Sequence, residues 1–318
     1  MNRRRFMAAS LACALPGAHA QSSGFPLKPV TVICPWPAGG GTDTLLRALA
    51  HEAEKHLGYT IRVLNAAGGG GAVGHSAITS ARPDGYTVGM ITFELNSLQV
   101  QGMIPFTYRD FDPLMRINSD AAALTVRKDA PFDNLREFIR FARSNPGEIT
   151  LGSSGPGSVW HLAAGLFAAK AGIQVRHVPY DGAISAVTAL ASGHIKAVSV
   201  SVPEVRAQVQ AGNLRILAVM DDKRDELFPD VPTFTEQGLP VSFSTWRGLA
   251  LPLGVPAEHK ARLHDAFKRA FDSPAFREAA RKASLNLDYQ EGPEFARFLD
   301  QNYADVAAVM RALGLARR

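Results

Sequence analysis

The sequence predicts a two-lobed α/β protein, each lobe a mostly parallel sheet flanked by helices, with a ligand cleft between the lobes. Three observations carry that expectation. Short β-rich runs alternate with helix-length apolar patterns, the rhythm of parallel sheets covered by helices. The rhythm runs from residue 30 and restarts at residue 148. Each round also contains a strand that ends in a Gly/Pro-rich loop and feeds a helix start. With 318 residues the chain has room for two lobes of ~150 residues. Its 46% hydrophobic and 20% charged residues suit a folded globular protein and are too apolar for a disordered one.

The first round opens with a strand at Val30–Cys34, closed by Pro35-Trp36-Pro37-Ala38-Gly39-Gly40-Gly41. Thr42-Asp43 suits a helix N-cap, and Leu45, Leu46, Leu49, Ala53 and Leu57 recur at helical spacing until Gly58. Residues 60–64 read as a strand, 66–74 as a glycine-rich loop, and a short helix follows to Ala81. Pro83-Asp84-Gly85 is a turn before a strand over 86–92. The second round has a strand over 148–151, a loop over 152–157 and a helix capped by Ser158 that ends before Gly172. A strand over 174–178, the Tyr180-Asp181-Gly182 turn and a helix over 183–191 come next. Residues 195–200 and 214–219 are strands with a helix over 204–211 between them. From Pro256 the tail is helical, and a last helix from Pro293 carries Phe295, Phe298, Leu299, Val306 and Met310. The lobes are expected at residues 21–122 plus 249–318 and at residues 123–248.

Residues 1–20 read as an export signal. Arg3, Arg4 and Arg5 precede a mostly apolar stretch and Ala18-His19-Ala20, a small-x-small cleavage signal before Gln21. Arg3-Arg4-Arg5-Phe6 also fits a twin-arginine pattern, against the plainer reading of an ordinary basic start. Removing three arginines lowers the formal charge from +5 to +2, which undercuts a nucleic-acid reading of the pI of about 9.3. Cys34 is then the one cysteine left, so neither an internal disulfide nor a cysteine-rich zinc site is expected. The expected setting is the periplasm, where ATP and NAD are scarce.

Several enzyme readings fail on the residues. Gly39-Gly40-Gly41-Thr42 lacks the lysine of a phosphate-binding loop, and Gly152 to Gly157 lacks the Gly-x-Gly-x-x-Gly order. Ser154 would need glycine at Pro156 to form a nucleophile elbow, which weakens a periplasmic α/β hydrolase. His51-Glu52 is followed by His56, one residue too far for a zinc protease motif. A receptor for an anion remains, because helix starts present unpaired N–H groups and partial positive charge. Trp36 is either core or a pocket wall, and His161 either satisfies a local carbonyl or touches ligand. Ser153, Ser154 and Ser158 either serve turns and caps or bind a carboxylate. Glu94 stands just beyond a strand's carboxyl end, where open α/β sheets place ligand contacts. It is a solvated rim residue, or it meets a positive partner (Arg247, or a ligand ammonium or ring nitrogen), or it binds as the neutral acid.

From Pro35 to Asp43 the chain resembles the substrate-binding receptors of tripartite tricarboxylate transporters, the Bug family. The resemblance continues at Pro83-Asp84-Gly85-Tyr86-Thr87, from Ser153 to Ala163, and at His177-Val178-Pro179-Tyr180-Asp181-Gly182. It ends with 214–219, 229–233 and Trp246-Arg247-Gly248-Leu249, so it covers nearly the whole chain after the leader. It implies a two-lobed, type II-like periplasmic binding protein closing on a small carboxylate, a di- or tricarboxylate, amino acid or aromatic acid, without metal or cofactor. The implied ligand-binding residues are Trp36, Ala38, Gly39, Gly40, Thr42 and Asp43 in the first lobe. In the second they are Ser153, Ser154, Gly157, Ser158, His161, Tyr180 and Asp181, with Ser201 and Glu94 at positions departing from the family pattern. Many members carry an acidic residue where Ser201-Val202-Pro203 stands, and small polar residues where Phe93-Glu94-Leu95-Asn96 stands. The implied protein is monomeric, and its partners are large and small permease subunits or a sensor kinase, with no nucleic acid.

Overall fold

In a computed structural model, residues 24–226 and 228–317 are described. The expected leader and its cleavage site lie outside the described residues. The first round forms β1 (Val30–Cys34), α1 (Gly41–Leu57), β2 (Ile61–Asn65), α2 (Ala72–Thr79), β3 (Thr87–Thr92) and α3 (Glu94–Val100). Helix α1 buries Leu45, Leu46, Leu49, Ala53 and Leu57 along one stripe. Gly58 ends it in the left-handed region, at φ 81, with its N–H on the Glu54 carbonyl. Where α2 passes the end of β1, a Cβ on Gly74 would lie 2.5 Å from Pro35 Cα, so only glycine permits that approach.

A strand the sequence reading did not anticipate comes next, β4 (Phe111–Arg127), followed by α4 (Leu135–Ser144). The second round then forms β5 (Ile149–Ser153), α5 (Val159–Ala171), β6 (Val175–Pro179), α6 (Ala183–Ala191) and β7 (Ala197–Ser201). It closes with α7 (Val202–Gln210) and β8 (Leu214–Val219). The chain returns through β9 (Ser244–Pro252), α8 (Ala257–Asp272), α9 (Pro274–Lys282), β10 (Leu287–Glu291) and α10 (Gly292–Ala312). The expected helical tail is thus cut at Ser273, whose hydroxyl accepts from Phe276 N–H to cap α9.

Strand order is β2-β1-β3-β9-β4-β7-β5-β6, with β8 and β10 also paired to β4. The two rounds are built alike. In the first, β1 pairs in parallel with β2 and β3; in the second, β5 pairs in parallel with β6 and β7. An antiparallel strand flanks each trio, β9 beside β3 and β4 beside β7. Strand β4 joins them: its residues 111–121 pair with β9, while 122–126 pair with β7 and 123–127 with β8. Its faces are covered almost throughout, so it lacks the alternation that marks a half-buried strand. Pro113 and the buried Arg116, Asn118 and Asp120 disguise it further.

One apolar core packs α1, α8 and α9 against β1, β3 and β9. The other fills the second round and extends through Phe93, Leu95 and Leu98 of α3 to Phe295, Leu299 and Met310 of α10. Among the described residues no helix is long and apolar enough to cross a membrane.

Candidate functional site

Between the two rounds lies a cavity of about 210 Å³, room for roughly seven waters at their liquid volume. The loop after β1 supplies Trp36, Ala38, Gly40, Gly41 and Thr42, and the region after β3 supplies Thr92 and Glu94. The opposite wall is Ser154, Val159 and Trp160 with the start of α6, and Glu204, Thr245 and Arg247 complete it. This is the placement expected of an open α/β sheet, at the carboxyl ends of parallel strands.

The two loops hold themselves differently. In the first, Asp43 accepts from Gly39 N–H at 2.9 Å, from Arg47 Nε at 2.9 Å and from Asn65 Nδ2 at 2.8 Å. Burial pushes the Asp43 carboxyl up, but Arg47, Gly39 and Asn65 together outweigh it and hold it below the usual carboxylate value. Asp43 is therefore a brace beneath the loop, absent from the cavity wall. Helix α1 begins at Gly40 without a side-chain cap. The first-turn N–H groups of Gly41, Thr42 and Asp43 consequently have no partner among the described residues.

In the second loop two of the first three α5 donors, Val159 and His161 N–H, are occupied, and Trp160 N–H has no partner among the described residues. Ser158 accepts from His161 N–H at 3.3 Å, and Gly157 donates its N–H to His161 Nδ1 at 2.9 Å. Gly157 adopts φ +69, which favours glycine. Val159 N–H, the first of α5, donates to Glu94 Oε1 at 3.3 Å. The carboxylate from α3 thus sits on the opposite helix start and bridges the two rounds. Ser153, Gly157, Ser158, His161 and Tyr180 all stay off the cavity wall, whereas Ser154 and Asp181 reach it. His161 packs edge-on against His177, with ring centroids 4.6 Å apart. Burial, then the neighbouring His177, pulls the His161 pKa down to about 4.

Glu94 is 3% exposed and belongs to a short relay. Trp36 Nε1 donates to Thr92 Oγ1 at 3.3 Å, and Thr92 donates to Glu94 Oε2 at 2.7 Å. Burial raises the Glu94 pKa, with Thr92, Val159 and the Arg247 charge pulling partly back. Of the partners Glu94 was expected to need, Arg247 reaches the same cavity but bonds elsewhere. Arg247 Nε donates to Thr42 Oγ1 at 2.8 Å, while Nη1 donates to Asn118 and forms a buried ion pair with Asp120. Nη2 takes part in none of these bonds.

Glu204 was missed. It lies in the first turn of α7, and its Oε2 accepts from both the N–H and the hydroxyl of Ser201 at 2.9 Å. Ser201 itself is fully buried behind it and does not line the cavity. The signal was available: Ser201-x-x-Glu204 is a capping-box spacing, which puts the carboxylate back at the strand's end. The acidic group lacking after β7 thus arrives three residues later. Burial raises the Glu204 pKa, opposed by Arg247 and Ser201. Among the described residues no cluster of His, Cys, Asp and Glu is placed to hold a metal.

Residues 45–315 match the family described as "Tripartite tricarboxylate transporter family receptor". The chain belongs to that family. A Cupriavidus necator protein, "UPF0065 protein in gbd 5'region", is 33% identical over 326 residues, covering 100% of this chain and 99% of its own. A ligand-free TctC solute-binding protein from Polaromonas is 36% identical with TM-score 0.72, over 91% of this chain and 99% of that one. An R. palustris protein with adipate is 27% identical with TM-score 0.87, over 92% and 99%. The family is one of receptors and the Polaromonas relative is a solute-binding protein, so the cleft is read as a binding site and not as a catalytic one.

Proposed function

We propose that the receptor captures a small carboxylate-bearing metabolite in the periplasm and hands it to the membrane subunits of a tripartite tricarboxylate-type transporter. One observation carries the carboxylate. The unpartnered N–H groups at the start of α1, the Thr42 hydroxyl and Arg247 converge on one wall of the cavity. Such a helix start is a ready anion site, and the adipate in the R. palustris relative is itself a carboxylate. Export through residues 1–20 would leave a mature chain beginning at Gln21, which intact-mass analysis of the periplasmic fraction checks.

Ligand entry requires the lobes to part. The Glu94–Val159 bond holds them together, and the TM-score is higher to the adipate complex than to the ligand-free Polaromonas receptor despite lower identity. Both support a closed conformation here. Opening would turn on β4 where it changes partners, at Ala121 and Ala122, and on the return path at residues 243–244. Calorimetric titration of di- and tricarboxylates, amino acids and aromatic acids tests the reading, with a Thr42→Val variant as control. Unchanged affinity in that variant would place the carboxylate elsewhere.

A further inference from the structure

We propose that the ligand carries, besides its carboxylate, an ammonium group seated between Glu94 and Glu204, so that amino acids and not dicarboxylates fit this cleft. The inference rests on the receptor reading and narrows it. Four charged side chains line the cavity: Glu94, Asp181 and Glu204 against Arg247 alone. Arg247 is already balanced by Asp120, which is 1% exposed. A second carboxylate would enter a space whose remaining ionisable groups are carboxyls, which repel it when ionised and receive it only by keeping their protons, whereas an ammonium pairs with their ionised form.

Hydrogen-bond direction agrees. An N–H can only donate, so Val159 fixes Glu94 Oε1 as an acceptor, and the Thr92 hydroxyl, itself receiving Trp36 N–H, donates to Oε2. Both oxygens are thus arranged as acceptors, each with a lone pair left for a further donor. Glu204 is arranged the same way: Ser201 supplies both donors to Oε2, and Oε1 makes no bond among the described residues. Ser154 and Thr245 in the wall are 7% and 3% exposed, and neither hydroxyl hydrogen-bonds to another described residue. Hydroxyls accept from an ammonium as readily as they donate to a carboxylate. An amino acid in the cavity would meet donors at the α1 start and acceptors on Glu94 and Glu204.

The test is calorimetric titration of the mature protein with length-matched probes: 6-aminohexanoate, adipamate and adipate, then 4-aminobutanoate, succinamate and succinate. In at least one series the amino acid is expected to bind about tenfold or more tighter than the diacid, with the amide between. Glu94→Gln should weaken the amino acid by roughly 10- to 100-fold while leaving the diacid unchanged or tighter. Glu204→Gln gives a second reading that keeps the fold, because glutamine also completes a capping box. A diacid that binds tighter than its amino partner in both series, or an amino acid indifferent to both variants, overturns the proposal. So does failure of every probe. A diacid that binds tighter than its amino partner in both series, with that binding lost in Thr42→Val, would overturn this inference and leave the carboxylate-receptor reading standing.

Discussion

The loop after β1 and the loop after β5 look like two copies of one device in the sequence: strand, glycine-rich turn, helix start. Their chemistry has diverged. The first loop is braced from below by Asp43, which leaves the α1 start open to the cavity. The second is tied up by its own residues, with Ser158 and His161 bonding each other's neighbourhood and Glu94 taking the first α5 donor. Similar loops therefore give unequal sites: open helix-start donors on one, and on the other a helix start whose first donor is taken by Glu94 from the first round. What separates them is which side chain reaches the helix start first.

The largest expected effect falls on the guanidinium that completes the open side. Arg247→Met leaves Asp120 buried and unpaired, which costs about 3–5 kcal/mol and is read by urea unfolding. Adding Asp120→Asn should recover much of that stability without recovering ligand binding. Recovery of binding as well would mean that Arg247 serves only the fold. Next come the hydroxyls beside the two helix starts, Thr42 in the first turn of α1 and Ser158 at the N-cap of α5. Thr42→Val should weaken binding by about one decade, since a hydrogen bond to a charged group contributes ~1.5–3 kcal/mol. Its melting temperature should fall as well, because the buried Arg247 Nε loses its acceptor. Ser158→Ala should instead lose about 1 kcal/mol of stability through the missing N-cap with affinity nearly intact. Matching losses of affinity in the two variants would restore the symmetrical picture.

Acid should part the loops more gently. His161 has a folded pKa of about 4, below its ordinary value of 6.5, so its contribution is full above pH 6.5 and fades as pH falls toward 4. Protonation of Nδ1 removes the acceptor that holds Gly157 N–H. Asp43 is shifted below its ordinary 3.8, so its brace persists until the pH drops beneath that value. Amide exchange at pH 5, corrected for the intrinsic rate, should show Gly157 losing protection while Gly39 keeps it. Equal loss at both glycines would contradict the difference in bracing.

Much of the first loop was legible because its signals are local. Glycines and prolines within nine residues announce a strand end and a helix start, although the N-cap is Gly40 and not the expected Thr42-Asp43. Asp43 was correctly placed in that loop's sequence but sits beneath it, since no local pattern says which way a first-turn carboxylate bonds. Arg247 reaches Thr42 across 205 residues of sequence, on a strand whose burial conceals any alternation. Pairing of that kind is set by β4, itself unread for the same reason. Glu204 was readable through its spacing from Ser201, and the search for an acid immediately after the strand passed over it.

Strand β4 has one further consequence, for the order in which the molecule assembles. The partners of its second half, β7 and β8, are complete by residue 219, whereas those of its first half, β9 and β10, lie within residues 244–291. A chain emerging from the ribosome at ~5–20 residues per second can therefore pair the later half of this strand seconds before the earlier half has anything to bond. Until then residues 111–121 present an unpaired edge, the kind of surface that recruits other strands. The interval between residues 219 and 291 is thus the stretch of synthesis in which the nascent protein is most exposed to mispairing.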